Sequence, residues 1–289
     1  MDNFKDNLLN ATLILLLTLL PLFMFSQNNI QKTSGNIEIQ PPQASYDNNQ
    51  QAGKYYSVRG INMYCEIYGE GSPLLLIHGN GGSIKSFDMQ IPFFSKKYKV
   101  IIADSRGQGR SVDPGDSLSY DMMADDFAEL LNQLNIDSAN ILGWSDGGIN
   151  GLLLAIRHPE KVKKLAITGA NITPDTTAIF PDDVNGMWGT VNALKDKNDK
   201  TDKEKMDYKL TKLMCEQPNI PLADLQNIVI PTLVIAGDHD VIRINHTILI
   251  HQNIKGSFLW ILPNSGHATL REYSDEFNQK VDYFFITNQ

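Results

Sequence analysis

A serine hydroxyl at Ser145, set in Gly143-Trp144-Ser145-Asp146-Gly147, has the spacing G-x-S-x-G. That spacing builds a sharp strand-to-helix turn that exposes the serine. The context fits, because the apolar run Ala139–Leu142 precedes it and Leu152-Leu153-Leu154 follows it. The flanking glycines let strand and helix approach without a clashing Cβ. The helix N-terminus beneath the serine favours developing negative charge. Serine is a weak nucleophile at its own pKa, so it needs a base, and the base needs an acid to hold it. On such an elbow the chain order is Ser, then Asp or Glu, then His.

Five histidines follow Ser145. His158 stands in the elbow helix, ahead of any strand that could carry the acid. His246 and His251 fall in a helical stretch after Asp240. His267 lies in Pro263-Asn264-Ser265-Gly266-His267, a loop after the strand-like Phe258–Leu262, where a base can reach the elbow. His267 is therefore the expected base. The acid should sit on Gly237-Asp238-His239-Asp240, after the apolar run Leu233–Ala236. Asp240, further along the turn, is expected to face the site, with Asp238 bonding loop amides instead. An oxyanion needs two backbone N–H donors about 3 Å away. Asp146, next after the nucleophile, supplies one. Asn80 in His78-Gly79-Asn80-Gly81-Gly82 supplies the other, with His78 bracing that loop.

These residues must be positioned by a sheet. Tyr55–Val58 and Ile61–Tyr68 read as a hairpin across Arg59-Gly60. Pro73–His78, Val100–Ala103, Ile141–Gly143, Leu165–Thr168 and Leu233–Ala236 are continuous apolar runs, as in strands buried on both faces. Met123–Leu134 reads as an amphipathic helix, with Met123, Phe127, Leu130, Leu131 and Leu134 on one face. The alternation predicts an α/β fold: a mostly parallel eight-stranded sheet with helices on both faces. From about 171 to 226 the alternation stops, and the charged stretch Lys195–Lys212 reads as a small helical cap with a solvated face.

The first 26 residues are different material. Leu8–Phe25 is apolar apart from Asn10, Thr12 and Thr18, and Pro21 precedes a polar exit at Ser26. This is a secretory signal peptide or an uncleaved anchor, so the catalytic part is expected to be exported to the periplasm or secreted. Residues 27–53 are rich in Gln, Asn, Ser and Pro without hydrophobic period, and read as a flexible linker. Residues 54–289 form the catalytic domain. A net charge of -8 argues against nucleic acid and anionic membrane surfaces as partners, leaving a membrane role only to an uncleaved leader. Two cysteines, Cys65 and Cys215, lie far apart without a CxxC pair, which disfavours cysteine-based zinc or redox chemistry. The histidines show no ligand spacing. No metal or organic cofactor is expected.

From about Lys54 to Phe285 the chain resembles the α/β-hydrolase superfamily. The motifs are His78-Gly79-Asn80-Gly81, Asp104-Ser105-Arg106-Gly107-Gln108-Gly109-Arg110-Ser111, the elbow, Gly237-Asp238-His239-Asp240 and Gly266-His267. The resemblance implies that the Asp104–Ser111 segment is a structural loop. A closer resemblance, to the biphenyl-hydrolase-like proteins, rests on Leu142-Gly143-Trp144-Ser145-Asp146-Gly147-Gly148-Ile149, Gly169-Ala170-Asn171 and Asp275-Glu276-Phe277-Asn278. It implies hydrolysis of α-amino acid esters, with Asp146 binding the substrate ammonium; Trp144, beside the nucleophile, is expected as a further substrate contact.

Physics leaves two roles open for Asp146. A carboxylate about 5 Å from the oxyanion opposes it by about 3 kcal/mol at ε ≈ 20, which a cationic substrate would offset. Alternatively it points away and stabilises the helix N-terminus by about 0.3–1 kcal/mol. The expected reaction is ester cleavage on a small molecule through an acyl-enzyme. The same triad would also serve lactone, thioester, amide or carbon–carbon hydrolysis. Cofactor-free haloperoxidase chemistry and a non-catalytic binding role on the same fold are also compatible with the motifs.

Overall fold

Successive side chains point to opposite faces of a strand, so a continuous apolar run covers both faces of a sheet, as it does in β-rich segments such as 74–77 and 100–103 here. The computed structural model describes residues 46–287. The strands are β1 (Gly53–Val58), β2 (Ile61–Tyr68), β3 (Ser72–Ile77), β4 (Tyr98–Ala103), β5 (Ala139–Trp144), β6 (Val162–Thr168), β7 (Thr232–Gly237) and β8 (Phe258–Leu262). They form one sheet in the order β1-β2-β4-β3-β5-β6-β7-β8. The β1–β2 and β2–β4 pairs are antiparallel, and every later pair is parallel. The Arg59-Gly60 turn joins β1 to β2 with both residues at positive φ, the twist that suits a two-residue hairpin.

Leu75, Ile77 and Ile101 pack on one face against α1 (Tyr120–Gln133) and α2 (Asp146–Arg157). α1 starts three residues before the sequence pattern suggested, because Ser119 caps it by accepting the Met122 amide at 3.1 Å. Leu74, Leu76, Val100 and Ile102 face the other way, into a second core. Phe277, Val281, Phe284 and Phe285 of the C-terminal helix close that core.

The cap region holds α3 (Pro181–Lys195) and α4 (Asp202–Glu216). Thr201 and Glu204 form a reciprocal capping box at the start of α4. The charge-rich face is solvated as expected in Lys203–Asp207 and Lys205–Asp202. Lys209 departs from that reading: it turns inward to pair with Asp113, which also meets Arg106. Leu210 and Leu213 of the same helix join the main core. Beyond β7, α5 (Ile244–Asn253) carries His246 and His251, and α6 (Ser274–Ile286) is the C-terminal helix.

The expected linker needs one correction. Residues 46–52 are not a free tether but turns held on the domain, with the Asp47 and Asn49 amides donating to the Glu66 carboxylate at 3.1 and 2.8 Å. Composition missed this because the segment docks by hydrogen bonds to one buried carboxylate, which has no hydrophobic period to betray it. The leader and the rest of the linker lie outside the described residues. Among the described residues, no helix is long and apolar enough to cross a membrane. Cys65 and Cys215 are both buried free thiols.

Candidate active site

β5 delivers Ser145 to the C-terminal edge of the sheet. There its backbone takes φ 58 and ψ -121, a strained conformation for a residue with a Cβ. Neighbouring glycines make the turn possible. A Cβ on Gly147 would lie 1.9 Å from the Ile77 carbonyl oxygen, and one on Gly143 would lie 2.1 Å from that of Gly147. Both clashes are with backbone, so no side chain fits. The Ser145 amide donates to Thr168 O at 2.8 Å, tying the elbow to β6.

His267 comes from the loop after β8, and Asp240 from the loop after β7. The three groups converge: His267 Nε2 lies 2.9 Å from Ser145 Oγ, and His267 Nδ1 lies 2.6 Å from Asp240 Oδ1. A carboxylate accepts, so Nδ1 carries the proton and Nε2 presents its lone pair to the serine. Asp240 is buried, and Oδ1 also accepts the Ile242 amide at 3.0 Å, which fixes its orientation. Burial opposes charge on His267, but the hydrogen-bonded Asp240 carboxylate, helped by Asp146 and Asp183, holds its pKa above the ordinary imidazole value.

The other expected residues fall as follows. Asp238 Oδ1 accepts the Ser265 amide at 3.1 Å, so it orders the loop, and Asp240 alone reaches the imidazole. His78 is buried and accepts the Ser105 amide at 2.9 Å through Nε2, while its Nδ1–H donates to Gly79 O at 2.7 Å. Burial pulls its pKa down to about 4, so the ring is a neutral brace. Asp104 Oδ1 and Oδ2 accept the Ile84 and Arg110 amides, which makes the 104–111 segment scaffolding. His158 meets Asp125 and His251 meets Ser257, both away from the serine. His246 accepts the Ile172 amide.

Asn80 and Asp146 flank the serine. Among the described residues no backbone acceptor takes the amide of either, and the Asp146 amide opens α2, where an N–H has no partner within the helix. Their side chains also meet, Asn80 Nδ2 donating to Asp146 Oδ2 at 2.8 Å. Asp146 does not point outward: it is only 4% exposed. Burial pushes its carboxyl up to about 6, against the hydrogen bond from Asn80 and the nearby Tyr120 hydroxyl. Among the described residues it has no ion-pair partner. Trp144, expected to touch substrate, donates its indole N–H to His267 O at 2.9 Å and so fastens the base's own loop.

Three neighbours escaped the sequence reading. Tyr120, at the start of α1, brings a buried hydroxyl towards Asp146 and leaves it without a hydrogen bond of good geometry. Asp183 reaches the electrostatic range of His267 from the cap. Gly169 holds φ +65, and a Cβ there would come within 2.8 Å of the imidazole. Only Gly169 had a sequence signal, since it stands in Gly169-Ala170-Asn171. Among the described residues, no group of three or more His, Cys, Asp or Glu side chains could hold a metal ion.

The chain is similar to known hydrolases. Residues 72–204 match the family described as the alpha/beta hydrolase fold. The serine hydrolase BPHL of Mus musculus is 30% identical over 250 residues, covering 79% of this chain and 84% of the relative. The pimeloyl-(acyl-carrier protein) methyl ester esterase of Legionella pneumophila is 30% identical over 251 residues, covering 78% of this chain and 99% of the relative. Among solved structures, a hydrolase from Pseudomonas aeruginosa PA01 superposes with a TM-score of 0.71 at 22% identity. It covers 83% of this chain and 100% of that one, a likeness of fold alone.

Proposed function

The chain belongs to the α/β-hydrolase family, and from that premise we propose that it cleaves small-molecule esters through a Ser145–His267–Asp240 acyl-enzyme mechanism. The observation that carries the reading is the unbroken relay of 2.9 Å from Ser145 Oγ to His267 and 2.6 Å from His267 to Asp240. Ser145 Oγ attacks the ester carbonyl while His267 Nε2 takes its proton. Asp240 keeps the imidazole in the right tautomer and stabilises its cation. The Asn80 and Asp146 amides receive the oxyanion. His267 returns the proton to the leaving alkoxide, and water attacks the acyl-enzyme with His267 again as base. Ser145→Ala abolishes turnover and labelling by a fluorophosphonate. A folded wild-type chain that is not labelled at Ser145 would sink the mechanism and favour a binding protein.

Within this reading the substrate is an α-amino acid ester. The support is Asp146, a buried carboxylate beside the nucleophile with no ion-pair partner among the described residues. A substrate ammonium there replaces a like-charge penalty of about 3 kcal/mol at ε ≈ 20 with an attraction. Asp146→Ala should therefore lower kcat/KM for aminoacyl esters at least tenfold and leave neutral acyl esters nearly unchanged. Equal cleavage of both ester classes by the wild type, with no effect of the substitution, removes the ammonium role. Export through the first 26 residues is part of the same proposal, and N-terminal sequencing of the mature protein tests it: an intact Met1 in a soluble fraction counts against cleavage.

A further inference from the structure

We propose that Asp47 is a positioning residue for the oxyanion loop, acting through Ser83. The inference rests on the reading that the Asn80 amide binds the oxyanion.

The loop from His78 to Ser83 is glycine-rich; inside it the Gly82 amide donates to Gly79 O at 3.1 Å, and Asn80 Nδ2 donates to Asp146 Oδ2 at 2.8 Å and the Leu210 carbonyl at 3.4 Å. Gly81 sits at φ +65 with nothing within 4 Å of where a Cβ would be. Those bonds hold the Asn80 side chain, and the direction of its backbone amide depends also on how the two flexible ends are pinned. The first end is pinned by His78, through Ser105 and Gly79. The second end is Ser83, whose hydroxyl donates to Asp47 Oδ2 at 3.1 Å. The next amide, Ile84, donates to Asp104 Oδ1 at 2.9 Å. Two carboxylates from separate parts of the chain thus grip consecutive residues at the exit of the loop.

Asp47 is itself held firmly. Glu66, on β2, is fully buried, and among the described residues no cation lies within salt-bridge distance of it. Its carboxylate instead accepts the Asp47 and Asn49 amides at 3.1 and 2.8 Å and the Tyr64 and Tyr68 hydroxyls at 2.9 and 2.7 Å. A buried carboxylate of this kind is tolerable only when its oxygens are satisfied. Half of those donors come from residues 47–49, so the segment is bound to the fold by Glu66's own need. Arg110 closes the strap from outside, donating to Asn48 Oδ1 at 2.9 Å and lying 4.7 Å from the Tyr64 ring centroid. The segment that enters the domain from its N-terminal side is in this way a brace for the catalytic loop.

The test uses the full chain and an ester that the wild type cleaves. Asp47→Ala is expected to lower kcat about tenfold while KM stays within about twofold, the pattern of a loosened transition-state donor. Asp47→Asn, which keeps an acceptor oxygen, restores most of the rate. A trifluoromethyl ketone that mimics the tetrahedral adduct loses affinity by the same factor as kcat/KM. Asp47→Ala combined with Ser83→Ala is no slower than Ser83→Ala alone, because Asp47 acts through that hydroxyl, which also caps the following turn by accepting the Lys85 amide at 3.3 Å. Additive losses, or an unchanged kcat in Asp47→Ala, overturn the proposal while the hydrolase reading stands. A wild-type chain that cleaves no ester takes both down. If Asp47→Ala does not fold, Ser83→Ala carries the same kcat-against-KM test.

Discussion

At the scale of single residues, the site is organised around the tautomer of one imidazole. Asp240 accepts the hydrogen bond from Nδ1–H, which leaves Nε2 free to accept from Ser145. Asp240→Asn puts an amide where a carboxylate was, so the favoured tautomer is lost. The expected fall in kcat is about 10⁴-fold with the fold intact, read by steady-state kinetics alongside circular dichroism. The pH profile follows from the raised pKa of His267. The base must be neutral, so kcat/KM is full above that pKa and lost as pH falls through it. In wild type the acidic limb lies above the usual imidazole value of about 6.5, and in Asp240→Asn it moves down. A limb that stays put in the variant would mean that Asp240 does not set the charge on His267.

At the scale of elements, the elbow is only as well placed as the sheet and helices that carry it. α1 packs beside α2, and its Phe127 is fully buried in the same core as Leu75 of β3 and Ile101 of β4. Phe127→Ala leaves a large void in that core. We expect a loss of about 3–5 kcal/mol in a denaturant titration. A loss below about 1 kcal/mol would show that the neighbouring side chains refill the space. Gly147 is a sharper case, because its missing Cβ is where α2 meets the backbone of β3. The helix can sit under the nucleophile only because that side chain is absent.

At the scale of the whole molecule, buried histidines tie stability to pH. Burial holds His78 and His246 down at about 4, whereas in the unfolded chain each titrates near 6.5. Between those values the unfolded state takes up protons that the folded state refuses. Stability contributed by the two neutral rings is therefore complete above about pH 6.5 and is lost as pH falls towards 4. The raised pKa of Asp146 and of His267 acts in the opposite direction over the same range, so in a thermal melt series from about pH 7 to about pH 5 the histidine contribution is read by substitution. His246→Gln, which keeps an acceptor for the Ile172 amide, should gain Tm relative to wild type as the pH is lowered. An unchanged difference in Tm would place the acid sensitivity elsewhere.

Local patterns were enough to read the order of strands and helices, the elbow at Ser145 and the loop positions of Asp240 and His267. Each depends on residues close together in the chain: apolar runs that only a buried strand tolerates, glycines that only a tight turn requires. What local patterns missed was decided by groups far apart in sequence. Position along the turn favoured Asp240 over Asp238, but the 2.6 Å contact with the imidazole is what decides between them. Tyr120 reached Asp146 because two helices pack side by side, and residues 46–52 became part of the domain because a buried Glu66 needed donors. Side-chain polarity and backbone conformation are properties of short segments and show in the sequence. Burial and the partner that satisfies a buried charge exist only after the chain has closed on itself, so the tertiary structure alone could assign them.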